Sequence, residues 1–364
     1  MLGSASLREC GLKSLVVASL GFLAALTAVS DASAQAMDYR RLPGKVLDVT
    51  PPSEHVRGGI GQMSVRPITC RAVPAAQTRR RIVDVAVQEW SYFGFPILDQ
   101  TRLDDETAFE GPSSWRARFP SLPQEEVVRV ADSVAGYWAA TPQGAGMVAR
   151  QNSAWNGPWG IEGRWADPWS AAFVSWVMCE SGLGDTGQFQ RAIAHWSYID
   201  QAIRARDGNA PRAGFIAHDL GEKAVVPGDL LCSSRRPVYR SIADRRRQMG
   251  IGARAHCDIV VKVDEAANRI YAIGGNVRRS VTLKLLPAVR GQNGNLRAVN
   301  PQEGDLYGDD IRPMFAHLKL RAEAIEAGAL DNSPTIKSLD CVLTFEERHP
   351  AYGLVPVSVP GRVC

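Results

Sequence analysis

Asp167-Pro168-Trp169-Ser170-Ala171-Ala172-Phe173-Val174-Ser175-Trp176-Val177-Met178 is the stretch on which the fold turns. Asp167 suits an N-cap, and Pro168 suits a first helical position, where a missing N–H costs nothing. The residues that follow are apolar nearly all round, which places the helix inside a core rather than along its surface. Ser181-Gly182 ends it. Ser170 then lies in the first turn, close to unpaired backbone N–H groups and the positive end of the helix dipole.

Outward from this helix the pattern is helical upstream and extended downstream. Thr78 to Phe93 repeats Ile82, Ala86, Trp90 and Phe93 on one face and stops at Gly94. A second helix is expected from Ser121, where Ser121 and Gln124 have capping-box spacing and Pro123 fits the first turn. It runs through Val127, Val130, Val134 and Trp138. A further helix is expected from about Gly187 to Ala205, with Phe189, Ile193, Trp196, Ile199 and Ile203 on one side. Past residue 220 the period shortens to two. Val225–Cys232, His256–Val263, Arg269–Ile273 and Val281–Leu285 read as antiparallel strands, with Met314–Leu320 as one more. Helices first and strands after, without βαβ alternation or an internal repeat, indicate an α+β class.

The N-terminus has the three parts of a secretory signal. Arg8 and Lys13 precede an uncharged apolar run, Leu15 to Val29, and Ala32-Ser33-Ala34 offers small residues for cleavage after Ala34 or two residues later. That run is shorter than the roughly 20 residues a spanning helix needs, and no later segment is long and apolar enough to span a membrane. The expected organisation is a signal peptide at 1–34, a proline-rich lead-in at 35–77, a domain at 78–321 and a tail at 322–364. Localisation is expected to be periplasmic or secreted.

Loss of the signal removes Arg8, Lys13, Glu9 and Asp31, which cancel, so the mature chain keeps the net charge of +4. A charge so mild does not suit a nucleic-acid binder, which concentrates basic residues on one face. Six of the seven cysteines remain, Cys70, Cys179, Cys232, Cys257, Cys341 and Cys364, an even number that permits disulfides in an exported chain. Cys341 with Cys364 is the expected pair, and Cys179 and Cys257 read as buried structural residues. No paired short cysteine spacing and no His-Glu-x-x-His helix is present, so neither a metal nor another cofactor is expected.

Chemistry concentrates at four places. Ser170 opens the buried helix, His256 opens an apolar strand, Asn276 closes the next in Gly274-Gly275-Asn276, and Pro227-Gly228-Asp229 precedes both. A histidine beside a first-turn hydroxyl can take its proton, first-turn N–H groups can hold an oxyanion, and a third polar group can fix the tautomer. Asn276 and Asp258 compete for that third role, Asp258 because it shares a strand face with His256. Each residue also has a plainer reading: Ser170 as a small residue between Trp169 and Phe173, His256 as a satisfied core histidine, Asn276 as a turn cap. His195 sits at the edge of its helix's apolar stripe, where structural burial is favoured over a role in catalysis or binding. Trp159, Trp165 and Trp169 are candidates for holding sugar or peptide, with core packing as the rival reading. The arginine-rich stretch from Arg235 to Arg247 suits either carboxylates or solvent.

Trp169-Ser170-Ala171-Ala172-Phe173-Val174 resembles the Trp-Cys-Ala-x-Phe-Val helix start of CHAP-type and related papain-like cell-wall amidases. The Pro-Gly-Asp turn, His256 and Asn276 follow in the order those enzymes use. More closely, Pro168–Met178, Ala194-His195-Trp196-Ser197-Tyr198-Ile199 and His256-Cys257-Asp258-Ile259-Val260-Val261 resemble the bacterial family called domain of unknown function 2272, over roughly Arg79 to Leu320. The resemblance implies a papain-like (CHAP/NlpC-type) fold, with N-terminal helices on a small antiparallel sheet. It also implies hydrolysis of an amide in the peptide part of peptidoglycan.

Ser170 departs from that pattern, standing where the superfamily carries cysteine. A thiolate forms readily beside a histidine, whereas serine must lose its proton to a base during attack. Two other roles therefore compete with hydrolysis: a catalytically inactive module that binds envelope peptide or glycan, and an envelope assembly protein with an apolar partner face.

Overall fold

The computed structural model describes residues 41–101, 124–158, 160, 165–299 and 313–339, together with the backbone of two strands at 344–349 and 353–357. The expected signal segment at 1–34, the helix start at Ser121, Trp159, and the expected Cys341–Cys364 pair lie outside the described residues.

The chain runs through a short hairpin, β1 (Val56–Arg57) and β2 (Ser64–Val65), into helix α1 (Ala75–Tyr92) and strand β3 (Ile97–Asp99). Among the described residues the next elements are helices α2 (Gln124–Arg129), α3 (Ala131–Ala139), α4 (Gly144–Trp155) and α5 (Ser170–Glu180). Helix α6 (Trp196–Arg206) leads to β4 (Phe215–His218), β5 (Leu230–Arg236), the short α7 (Ile242–Arg246), and the long strands β6 (Arg254–Asp264), β7 (Arg269–Val277) and β8 (Ser280–Arg290). After β9 (Leu296–Ala298) and β10 (Met314–Leu320) come α8 (Pro334–Ser338), β11 (Thr344–His349) and β12 (Gly353–Val357). No helix among the described residues is long and apolar enough to cross a membrane.

This is a mixed α+β fold, but its sheet is neither small nor wholly antiparallel. Eight strands pair in the order β3-β8-β7-β6-β5-β10-β4, with β9 added beside β8. Strands β5 to β8 form an antiparallel meander, while β3 joins the far edge parallel to β8. Period-two patterning explains the two faces. Ile259, Val261, Ile273, Leu283 and Leu285 pack into the core that contains α1 and α5. Val260, Ile270, Ala272 and Leu286 alternate with them and pack on the opposite side with Leu231, Leu296 and Ala298.

Helix α5 lies at the centre of the first core, every residue of it buried. It begins at Ser170 rather than Pro168, with Trp169 as N-cap. Asp167 instead pairs with Arg150 on the surface. The segment at 187–195 is not helical, and α6 begins only at Trp196. Phe189 is nevertheless buried, stacked against Tyr198. Apolar spacing there reflects a loop folded onto a helix. The packed unit also extends past 78–321 on both sides, since Leu47, Val49, Met63 and Ile68 before it and Ala329 and Leu330 after it enter the same core.

Disulfides brace this unit at two places among the described residues. Cys70 bonds Cys179, fastening the lead-in to the end of α5, and Cys232 bonds Cys257 across β5 and β6. Both partners of the second are fully buried.

Pro227-Gly228-Asp229 is a structural turn. Asp229 accepts from Arg79 at 2.8 Å, from His317 Nε2 at 2.8 Å, and from the backbone N–H groups of Val226 and Leu320. Gly228 has φ of 90°, and a Cβ there would stand 2.7 Å from Arg79 Cγ. None of these partners of Asp229 belongs to the group around Ser170. Both Arg79 and Asp229 are buried, and removing one member of such a pair costs about 3–5 kcal/mol because the other charge is stranded. Arg79→Met should lower the stability measured by urea unfolding by that amount; a loss below about 1 kcal/mol would contradict a structural role for the turn.

Candidate functional site

The N-terminus of α5 abuts β6, and a chain of hydrogen bonds begins there. Ser170 Oγ lies 2.7 Å from His256 Nδ1. His256 Nε2 lies 2.7 Å from Asp258 Oδ1, and Lys284 Nζ donates to Asp258 Oδ2 at 2.8 Å. On its other side Ser170 Oγ lies 2.5 Å from His195 Nε2. His195 Nδ1 is bonded by the Tyr198 hydroxyl, and it accepts from the Cys257 backbone N–H at 3.2 Å.

Backbone geometry supplies each part. His256 and Asp258 are two residues apart on β6, so the pleat puts them on one face. Lys284 comes from the middle of β8, and Gly274 of β7 lies against both members of the pair. A Cβ on Gly274 would fall 2.0 Å from Asp258 Oδ1 and 2.9 Å from His256 Nε2. Gly275 serves the helix instead, since a Cβ there would come within 2.6 Å of Phe173. The Gly-Gly pair thus makes room for the carboxylate–imidazole contact and for α5.

The hydrogen-bond directions are fixed by groups that can only donate or only accept. Because the Cys257 N–H can only donate, His195 Nδ1 is bare, and Nε2 carries the proton toward Ser170. Ser170 must then turn its own O–H to His256 Nδ1, which leaves His256 Nε2–H for Asp258. Electrostatics agree. Burial would raise the Asp258 pKa, but the electrostatic pull of His256 and Lys284 and their hydrogen bonds outweigh it and hold the carboxyl well below its ordinary value. Burial raises the Tyr198 pKa well above 10, with the Asp258 charge adding to it, so its hydroxyl keeps its proton.

Of the residues singled out from sequence, Ser170, His256 and Asp258 meet, and His195 joins them. His195 is not on a helical stripe: it is the N-cap residue of α6, which turns its ring toward Ser170. Asn276 is not the orienting group. It adopts φ of 55° at the end of β7 and makes no side-chain hydrogen bond to a described residue. Trp169 is fully buried and stacks on Tyr137 with ring centroids 5.8 Å apart, so it faces the core and not a ligand. Trp165 packs edge-on against Trp155 at 5.1 Å. Lys284 and Tyr198 are members that sequence reasoning missed. A lone lysine inside the apolar run Val281 to Leu286 was the signal for the first, and Tyr198's place three residues after His195 the signal for the second.

Fold and cluster together define an α+β protein with a serine–histidine–aspartate arrangement at the N-terminus of a buried helix. The chain belongs to the family described as uncharacterized protein conserved in bacteria (DUF2272), which matches residues 126–320 and so includes every member of the cluster. No curated protein and no solved structure matches it.

His195 has a consequence for stability. Burial, and after it repulsion from a protonated His256, hold its pKa well below the ordinary 6.5, with Asp258 opposing and Lys284 adding to the effect. Below about pH 6.5 the unfolded chain takes up a proton that folded His195 refuses. Stability is therefore intact above that pH and drains as pH falls toward the depressed folded value. Melting temperature measured from pH 8 to 5 should fall more steeply in the wild type than in His195→Gln; equal slopes would contradict a neutral buried imidazole.

Proposed function

We propose that this protein is an exported hydrolase of amide bonds in peptidoglycan peptides, built on a papain-like fold. The observation that carries the hydrolase reading is the line from Ser170 Oγ through His256 to Asp258, with both contacts at 2.7 Å. Ser170 Oγ attacks the carbonyl carbon as its proton passes to His256 Nδ1, and Asp258 stabilises the imidazolium that forms. His256 then gives the proton to the departing amine, and water cleaves the resulting ester by the same route in reverse. The first N–H groups of α5, which lack helical partners, are the oxyanion donors. The reaction so drawn uses no metal or other cofactor.

The substrate reading rests on the resemblance to cell-wall amidases in the order of motifs, and on the secretory character of the first 34 residues. The two disulfides favour the same oxidising compartment, periplasmic or extracellular. A second reading, an inactive module that binds envelope peptide or glycan, draws on one observation: Ser170 is only 5 % exposed.

Digestion of purified peptidoglycan, with products identified by mass spectrometry, separates the two. Wild type should release peptide fragments, and Ser170→Ala should lower the rate by about a thousandfold or more, as loss of a triad nucleophile does. Ser170→Cys should also be slow, because sulfur is too large to sit between two ring nitrogens 2.5 and 2.7 Å from the hydroxyl. Release by the cysteine variant alone would mark the natural protein as a binder. Silence from all three would end the peptidoglycan-hydrolase proposal.

A further inference from the structure

A cysteine nucleophile needs one histidine to make its thiolate. Here the nucleophile is an alcohol, and it touches two histidines. From this geometry we infer that His195 is a second catalytic histidine, a permanently neutral Nε2–H donor that orients Ser170 Oγ and stabilises negative charge as it develops there. This role rests on Ser170 being the nucleophile, as proposed for the hydrolase.

The geometry leaves His195 no other protonation pattern. The residue is 5 % exposed, and its Nδ1 is occupied by the Tyr198 hydroxyl and the Cys257 N–H. The charged and titratable groups around it are His256, Asp258, Lys284 and Tyr198, and burial dominates among their effects in keeping the ring neutral. His195 therefore does not compete with His256 for the serine proton. It offers the opposite: a fixed hydrogen, 2.5 Å from Oγ between heavy atoms.

Ser170 is affected in two ways. Oγ has four tetrahedral directions, of which Cβ, the accepted His195 hydrogen and the hydrogen donated to His256 take three. One lone pair is left for the carbonyl carbon, so the hydroxyl cannot rotate out of its attacking orientation. As the Oγ–H bond breaks and the C–Oγ bond forms, the proton goes to His256 and then to the amine nitrogen released when the amide C–N bond breaks. His195 keeps its own proton throughout and acts only as a donor, strongest when Oγ carries charge. The same donor assists when Oγ leaves the acyl carbon in the hydrolytic half-reaction.

Cys257 adds a structural link. Its N–H fixes the His195 tautomer, its side chain is bonded to Cys232 of β5, and its neighbour is His256. The donor histidine and the base histidine are thus referenced to a single, cross-linked point of β6.

Phosphonylation of Ser170 by a fluorophosphonate probe, tracked by intact-protein mass from pH 5 to 9, reads the nucleophile without needing the natural substrate. Wild-type labelling should rise with pH through one step that is lost in His256→Gln. His195→Phe keeps a ring but loses the donor and should label about 100- to 1000-fold more slowly, the usual cost of one such donor. His195→Gln restores an N–H group at the same reach and should recover part of the rate, with the pH step in its wild-type place. Tyr198→Phe, which leaves the Cys257 N–H to fix the tautomer, should label within about tenfold of wild type, since the His195 Nε2–H donor to Ser170 is retained. These last two variants decide the matter if His195→Phe does not fold.

Labelling of His195→Phe at the wild-type rate would overturn the inference while leaving Ser170 as nucleophile. So would a pH step that vanishes in His195→Gln yet persists in His256→Gln, because His195 would then be the base. A wild-type protein that never labels would overturn the nucleophile reading itself, and the inference with it.

Discussion

Asp258 is a carboxylate with 1 % of its side chain exposed, and it is kept charged by His256 on one oxygen and Lys284 on the other. A buried charge survives only when its partners repay the lost hydration. Satisfying that condition dictates much of the surrounding sheet. Strand β7 must carry glycine at 274, because any Cβ would strike the carboxylate. Strand β8 must deliver a lysine into an otherwise apolar run, in register with Ala272 of β7. His256 is left with its proton on Nε2 and a bare Nδ1, aimed at the start of α5.

The helix meets this arrangement at a fixed depth. Its first residue is Ser170, and one turn later Phe173 presses on the bare backbone of Gly275. A larger residue at 275 would hold the helix off and pull Ser170 away from His256. His195 arrives from a third element, where the chain enters α6 and Phe189 and Tyr198 stack beneath the preceding loop. Helix, sheet and loop converge on one hydroxyl, each fixed by packing outside the site. That is how a chain holds several polar side chains in one fixed arrangement.

Much of this architecture was legible in the sequence, for identifiable reasons. The apolar run after Ser170 could only be a buried helix, and period-two patterning marked β6, β7, β8 and β10. Strand spacing alone put Asp258 beside His256. What failed was information carried by distant contacts. Asn276 and Asp258 looked equivalent as orienters because the choice depends on a turn geometry that local sequence does not encode. Trp169 looked like a ligand platform because burial against Tyr137 and Phe93 is a tertiary fact. His195 was misplaced on a helical stripe because a loop folded over α6 mimicked helical spacing. The Cys70–Cys179 and Cys232–Cys257 pairs likewise depend on which elements become neighbours, and chain separation says nothing of that.

In the proposed mechanism the reactivity of Ser170 depends on where the protons of its two histidines sit, and those positions can be observed directly. Nitrogen chemical shifts of the imidazoles, recorded by NMR at neutral pH on protein labelled with ¹⁵N histidine, report which ring nitrogen carries hydrogen. The expected result is a neutral Nε2–H tautomer for both His195 and His256, with a bare Nδ1 on each. His195 protonated on Nδ1, or charged at neutral pH, would break the chain from Cys257 to Ser170 and contradict the arrangement at its centre.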